Sequence, residues 1–291
     1  MEPSHSLRAR IQASMWRGFF VLGLIIVAPL LDVAAGVLVA PTVIVISDKG
    51  RTGRMTVHNP TDKPREISIS FSFGLPESDS LGNVNIFLRD TAVSDTRSAL
   101  GWIRAFPRKL ILPGNGTQVV RFVAHPPKDL PDGEYWARIV VESQEGTTSL
   151  PMPSNDQEIT TKLNMIMRTA IMLKYRTGDL VANLELGSAE AKRIDSRVEV
   201  LADLRNKGNV SYVGIMECRL IDAAGSQVSY SNIQLAVYHD LLRRVDMPLS
   251  DTDFMEPLKV EMSISNRGRK DIPVEEMVFG NDILYTIDLD E

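Results

Sequence analysis

The side chains of this 291-residue chain that could do chemistry are few and widely spaced. Four histidines, His5, His58, His125 and His239, show none of the paired spacing that metal sites use. Cys218 is the single cysteine, and its alternation with apolar neighbours predicts a small buried side chain. The sequence contains neither a Gly-x-Ser-x-Gly nucleophile elbow nor a phosphate-binding glycine loop. These observations predict a protein that is not an enzyme and that has no metal and no cofactor.

The segment from Leu163 to Tyr175 carries a different kind of chemistry, because it is apolar at nearly every position. It predicts a long strand within residues 160–176. An exposed strand of this composition would aggregate unless its edge pairs with another chain. Strand addition takes affinity from backbone hydrogen bonds and fit from alternate side chains, and methionine adapts to varied partners. Two interpretations stay open: an edge that binds another chain, and a central strand buried on both faces.

The elements around this segment are predicted to be strands as well. After residue 37 the apolar residues recur with a period of two. One clear half-buried strand has apolar side chains at alternate positions, at Ile67, Ile69, Phe71 and Phe73. Residues 39–46 and 102–112 each form one strand-like run, and turn clusters follow at 113–116 and 206–209. Only the segments 90–98 and 237–244 are compatible with short helices.

The N-terminus has the three parts of a secretory signal peptide. Three arginines precede an apolar run at residues 18–31, and the small residues Val33 and Ala35 follow it. The run is shorter than the roughly 20 residues that a permanent membrane helix needs. We therefore predict cleavage after Ala35, with an uncleaved membrane anchor as the alternative. No later apolar stretch reaches membrane-spanning length.

Charge and length limit the function further. The formal net charge is −5, and removal of residues 1–35, with three arginines and two acids, changes it to −6. A mildly acidic chain argues against nucleic acid as a partner, since phosphate binding needs a basic face. About 255 residues remain, enough for two domains. We predict an all-β protein of two immunoglobulin-like sandwiches: signal peptide 1–35, first domain 36–177 and second domain 178–291.

Several segments of the first domain carry a family resemblance. Residues 106–114 (FPRKLILPG) contain a Leu-x-Pro-Gly turn, residues 118–122 (QVVRF) follow as a strand, and residues 130–136 read LPDGEYW. Together with 40–45 (APTVIV) and 55–59 (MTVHN), and in this order behind a signal peptide, they resemble the PapD-like periplasmic chaperones of pilus assembly. The resemblance covers about 140 residues. One departure is Gly133, where the family usually has arginine.

The resemblance implies how such a protein would act. In that family the last strand of the first domain donates exposed apolar side chains to a pilus subunit that lacks its own final strand. Aligned on Tyr175 and Arg176, the donor positions are Leu163, Met165 and Met167. The family's inter-domain salt bridge would join Glu134 and Arg176.

The basic groups of the family are missing here. Its members hold the subunit's C-terminal carboxylate with an arginine on the first strand and a lysine on the donor strand. These positions fall at Thr42 or Val43 and at Met172, none of which can hold a carboxylate by charge. Arg168 and Lys174 are the neighbouring cations that could substitute.

The sequence therefore predicts a periplasmic chaperone or assembly factor that binds a secreted pilus or surface-protein subunit by β-strand addition. The resemblance also implies an outer-membrane usher as a further partner. The alternative, from a different class, is a structural immunoglobulin-like component of the envelope or cell surface without chaperone activity. The missing basic pair favours this alternative.

Overall fold

The structure is a computed structural model that describes residues 36–90, 94–145, 165–249, 254–269 and 272–289. The predicted signal peptide and the donor position Leu163 lie outside these residues. Within them the regular structure is strand, apart from a single 3-10 turn at Val274–Glu276. No helix there is long and apolar enough to cross a membrane.

The first half of the chain forms a sandwich and one added hairpin. Its strands are β1 (Leu38–Ala40), β2 (Val43–Ser47), β3 (Thr52–His58), β4 (Arg65–Ser72), β5 (Pro76–Ser78), β6 (Val84–Ile86), β7 (Ile103–Phe106), β8 (Lys109–Leu112), β9 (Thr117–Ala124), β10 (Gly133–Glu145) and β11 (Ile166–Thr177). One sheet has the order β1-β3-β9-β7 and the other β2-β11-β10-β4-β8, while β5 and β6 pair only with each other.

The second half forms another sandwich. Its strands are β12 (Leu184–Ile194), β13 (Arg197–Asn206), β14 (Tyr212–Ile221), β15 (Gln227–Val237), β16 (Asp240–Pro248), β17 (Lys259–Ser265) and β18 (Ile283–Asp288). They form sheets of order β12-β13-β16 and β15-β14-β17-β18. The segment 237–244, compatible with a helix by sequence, is strand on both sides of a tight turn, because its apolar residues complete the core of this sandwich.

Both sandwiches are immunoglobulin-like, which confirms the predicted fold class. In the first, the order β1-β3-β9-β7 corresponds to the A-B-E-D strands of that fold, and β11-β10-β4 corresponds to G-F-C, with β2 and β8 added at the two edges. Tyr135 near the start of β10 donates its hydroxyl hydrogen to the Pro131 carbonyl oxygen at 2.8 Å, as the tyrosine corner of such sandwiches does. Each sandwich has its own core of inward-facing side chains, and each fully buried Leu, Ile or Met contributes about 1.5–3 kcal/mol.

The two runs predicted as single strands are each divided between the sheets of the first sandwich. In the run 39–46, β1 pairs with β3, whereas β2 pairs with β11. Pro41 lies between them, and proline has no N–H to donate to a ladder. The run 102–112 changes sheets in the same way at Pro107, and both prolines follow cis peptide bonds. The change at Pro41 limits the length over which β2 can cover β11.

Candidate functional site

The strand β11 has one edge that is covered along only part of its length. Its first edge pairs with β10 from Ile166 to Thr177. On its second edge β2 pairs only with Met172–Arg176. Toward the N-terminal end of β11, no strand among the described residues lies on this side.

The backbone groups on that uncovered edge can be assigned. Met172 donates its N–H to the Thr42 carbonyl oxygen at 3.2 Å, so it faces β2. Backbone groups of successive residues in a strand point alternately to the two sides. The N–H and C=O groups of Ile166, Arg168 and Ala170 therefore point to the uncovered side. The backbone groups of these three residues form an edge with which no described strand pairs.

The side chains of this half of β11 are exposed as well. Met165, Ile166 and Met167 have exposed fractions of 60%, 54% and 38%, whereas Ile171 and Leu173 are buried in the first core. The odd-numbered side chains share one face, so Met165 and Met167 extend the row of core residues beyond the covered part of the sandwich. Two of the three predicted donor residues thus lie beside the free edge.

A buried carboxylate marks the opposite end of β11. Glu134 and Trp136 on β10 stand directly opposite Arg176 and Lys174 on β11. These four side chains lie on the face opposite to Tyr135 and the core, where the second sandwich begins. The spacing of two along both strands is what brings them together.

The hydrogen bonds of Glu134 join the two sandwiches. Its Oε2 accepts from Arg176 Nε at 2.8 Å, and its Oε1 accepts from Trp136 Nε1 at 2.7 Å. Ser211, directly before β14, donates its hydroxyl to the same Oε1 at 2.5 Å. Lys174 Nζ lies 3.3 Å from Oε1 and donates to Ser211 Oγ at 2.6 Å. We call Glu134, Trp136, Lys174, Arg176 and Ser211 the junction cluster.

Electrostatics within the junction cluster favour the charged carboxylate. Burial by itself would raise the pKa of Glu134, whereas the charges of Lys174 and Arg176 lower it. With the hydrogen bonds from Ser211 and Trp136 they lower this pKa to about 2. Burial lowers the pKa of Lys174, and the negative charge of Glu134 opposes that shift. A cation and a carboxylate that are both desolvated hold each other in place.

The structure separates the two predicted carboxylate anchors. Lys174 is buried in the junction cluster. Arg168 lies in the exposed half of β11, where its Nε donates to Glu142 Oε2 at 2.7 Å and its side chain is 70% exposed. Met172 and Val43 stand opposite each other across β11 and β2, so the position where the family has lysine holds a methionine.

Apolar packing continues the contact between the sandwiches. Trp136 meets Tyr238 of the second sandwich edge to face, with ring centroids 5.0 Å apart. Met172 lies in the same cluster, as do Phe73 and Leu75. This cluster and the junction cluster are adjacent along β10 and β11. Together they attach the second sandwich to the covered half of β11.

A groove of about 420 Å³ opens beside these contacts. Its walls are partly apolar, formed by residues such as Val43 and Val84. Three cations, Lys174, Arg243 and Arg269, line it, and no acidic residue does so among the described residues. The groove can therefore accept a chain segment that carries a negative charge.

Sequence reasoning missed part of this site. Ser211 follows the predicted turn at 206–209, so its place at the start of a strand was visible, but its contact with Glu134 bridges 77 residues of sequence. Arg243 was missed because it belongs to a segment compatible with a helix. The alternation of buried residues Leu241 and Val245 around it was the available signal.

Comparison with known proteins gives only distant likenesses. No family model matches the chain, and no curated protein does so. Among solved structures it is similar to the YadV chaperone, with 14% identity and a TM-score of 0.45 over 88% of this chain and 100% of that one. It is also similar to the Pseudomonas aeruginosa CupB2 chaperone, with 12% identity and a TM-score of 0.41 over 87% and 100%. A third is the Escherichia coli chaperone DraB, with 14% identity and a TM-score of 0.39 over 87% and 95%. The sequence identities and TM-scores are low, so no functional argument is drawn from these likenesses.

Proposed function

We propose that this protein is a periplasmic chaperone or assembly factor that binds a pilus or surface-protein subunit by β-strand addition. The observation that carries the proposal is the half-covered edge of β11. Its free backbone groups at Ile166, Arg168 and Ala170 lie next to the exposed side chains of Met165 and Met167. An uncovered edge with apolar side chains is a liability that proteins usually hide, unless it serves to pair with another chain.

Strand addition would use both features of this edge. A subunit strand laid along 166–170 would complete the ladder, at about 0.5–1.5 kcal/mol for each hydrogen bond. Met165 and Met167 would enter an apolar groove of the subunit, with about 1.5–3 kcal/mol for each buried side chain. Leu163 would extend the same row, as its position in the sequence predicts.

The groove between the sandwiches offers a site for the C-terminal end of the bound strand. Val43 and Lys174 lie in its wall, directly beyond the point where β2 begins to cover β11. Lys174 is already engaged by Glu134, so Arg243 would supply the charge that meets a terminal carboxylate. Arg168 would instead contact the flank of the bound strand.

The partners and the compartment follow from the proposal together with the predicted signal peptide. The client would be a secreted subunit that lacks a strand, and an outer-membrane usher would receive the complex. Both would meet this chain in the periplasm.

Substitution of both exposed methionines tests the proposal. The chain is tagged and isolated from a periplasmic extract, and mass spectrometry identifies what remains bound. We expect a small secreted β-rich subunit in near-equal amount with the native chain, and its loss in the M165E/M167E variant. Met255, in the second sandwich, has nearly the same exposed fraction, 61%, so M255E is the matched control and should keep the subunit. Equal recovery with the double variant would exclude this edge as the binding site.

A structural component of the envelope is the second candidate. The observation in its favour is that the family's basic positions fall at Thr42 or Val43 and at Met172, none of which is charged, and that Val43 and Met172 pair with each other. For this candidate we expect a stable monomer that retains no subunit in the same experiment. Its β11 would then be an ordinary strand of the sandwich without a binding role.

A further inference from the structure

The hairpin of β5 and β6 leaves the first sandwich between β4 and β7 but ends on the second. Three residue pairs hold its strands together, from Pro76 opposite Ile86 to Ser78 opposite Val84. Val84 packs against the core of the second sandwich. The hairpin is thus an element of one sandwich that contributes an apolar side chain to the other.

The tip of the hairpin is ordered by its own hydrogen bonds. Asp79 Oδ1 accepts from the N–H groups of Leu81 and Asn83, each at 2.9 Å. Its Oδ2 accepts from Asn83 Nδ2 at 2.8 Å, and these bonds lower the pKa of Asp79. Such a side-chain-closed turn keeps its shape without help from neighbours.

The hairpin covers the edge of β16. Leu242 donates its N–H to Ser78 Oγ at 3.0 Å, and Arg244 donates its N–H to the Gly82 carbonyl oxygen at 3.1 Å. β16 is an edge strand of its sheet, so these N–H groups would otherwise face solvent. Gly82 fits so closely that a Cβ atom there would come within 2.8 Å of Arg244 N and 2.6 Å of Leu201 Cδ1.

We propose that this hairpin is a strap that holds the two sandwiches in one orientation. The junction cluster and its apolar extension attach the sandwiches along β10 and β11, and the contacts of Asp95 with His239 and of Arg97 with the Asn209 carbonyl oxygen join the same region. Contacts confined to one region resist rotation of the sandwiches less than contacts spread over two regions. The strap adds a further attachment, to the outer edge of β16 at Leu242 and Arg244. Its residues Pro76 and Val84 also form part of the groove wall, so the strap fixes the width of the groove. The strap would hold this orientation whether or not a client is bound.

The distance between the sandwiches tests the strap. Spin labels are placed at Q118C on β9 and Q227C on β15, both exposed, and their distance distribution is measured by pulsed electron paramagnetic resonance. The native Cys218 is buried, and burial raises its pKa to about 12, so it stays unlabelled. We expect one narrow distribution for the otherwise native chain. In G82A we expect a broadened or shifted distance distribution, because the added Cβ displaces the hairpin from β16.

A matched control separates displacement from backbone strain. Gly225 has φ +82°, close to the +74° of Gly82, but nothing lies within 4 Å of a Cβ placed there. G225A should keep the narrow distribution. S78A, which removes an acceptor without adding strain, should broaden the distribution to a smaller extent and guards against a folding defect in G82A. A distribution in G82A as narrow as the native one, with the same centre, would overturn the strap.

Discussion

The two halves of β11 each carry an isoleucine, a methionine and one cation, but their surroundings are opposite. Residues 171–175 are buried, with β10 on one side and β2 on the other, and they end in the junction cluster. Residues 166–170 are mostly exposed, and their outer edge is free among the residues that the structure describes. The difference begins where β2 begins, because Pro41 directs the preceding strand into the other sheet.

The contrast shows that position in the sheet, and not the type of side chain, sets the role of each half. Met172 packs against aromatic rings, whereas Met167 is the same residue type five positions earlier and is exposed. The covered half anchors the second sandwich. The open half keeps its backbone available, and it can do so without fraying because the covered half and β10 hold it straight.

Removal of the carboxylate from the covered half should have the largest effect. E134Q leaves Lys174 and Arg176 buried without their negative partner. We expect the free energy of unfolding to fall by about 3–5 kcal/mol, the usual cost of breaking a buried ion pair. Chemical denaturation of the native and variant chains measures it.

The ion pair in the open half is the matched control. Arg168 and Glu142 are as close as the buried pair, but the Arg168 side chain is 70% exposed. We expect R168Q to change the free energy of unfolding by only about 0–1 kcal/mol. Equal losses in E134Q and R168Q would show that the two halves do not differ in this respect.

A dependence on pH should follow from the same carboxylate. The pKa of Glu134 is about 2 in the folded chain against an ordinary value of 4.5. The stabilisation from this shift is fully present above pH 4.5 and is lost as the pH falls from 4.5 towards 2. It amounts to about 3 kcal/mol. We expect the difference in unfolding free energy between the native chain and E134Q to be smaller at pH 3 than at pH 7, and parallel profiles would contradict the assignment.

The sequence predicted the class of fold because its period of two and its turn clusters are local signals. It did not predict the division of residues 39–46 between two sheets, although Pro41 was visible, since the loss of one N–H does not say where the chain goes next. It also missed the hairpin strap. Strands of three residues are too short for a period to be recognised, and the partner of the strap, β16, lies about 160 residues away.

The candidate site was predictable only in part, for a related reason. The apolar run 163–175 drew attention to β11, but its spacing allowed both an open and a buried strand. The structure shows one half buried and the other exposed with an open edge, and whether that edge binds another chain stays a prediction. Glu134 and Arg176 were named from a resemblance. Ser211 contacts Glu134 only through the tertiary structure, and no local sequence pattern indicates that contact.

The two edges of the open half can be compared with each other by proline substitutions, one of which should have the smallest effect on stability. Ala170 directs its N–H to the free edge and Thr169 directs its N–H to β10, so proline at the two positions removes different hydrogen bonds. A170P should leave the free energy of unfolding nearly unchanged, because proline is tolerated where the N–H faces solvent. T169P should lower it by about 1 kcal/mol or more, for one lost bond of the ladder.

The same pair of variants separates folding from binding. A170P should weaken retention of a subunit, since a strand added beside β11 would lose a donor at the centre of the free edge. T169P should retain the subunit as long as the chain stays folded, because its edge-facing groups are intact. Denaturation curves and the co-purification experiment measure the two properties independently. If A170P destabilises the chain as much as T169P does, the outer edge of residue 170 is already paired, and the open half of β11 is not open.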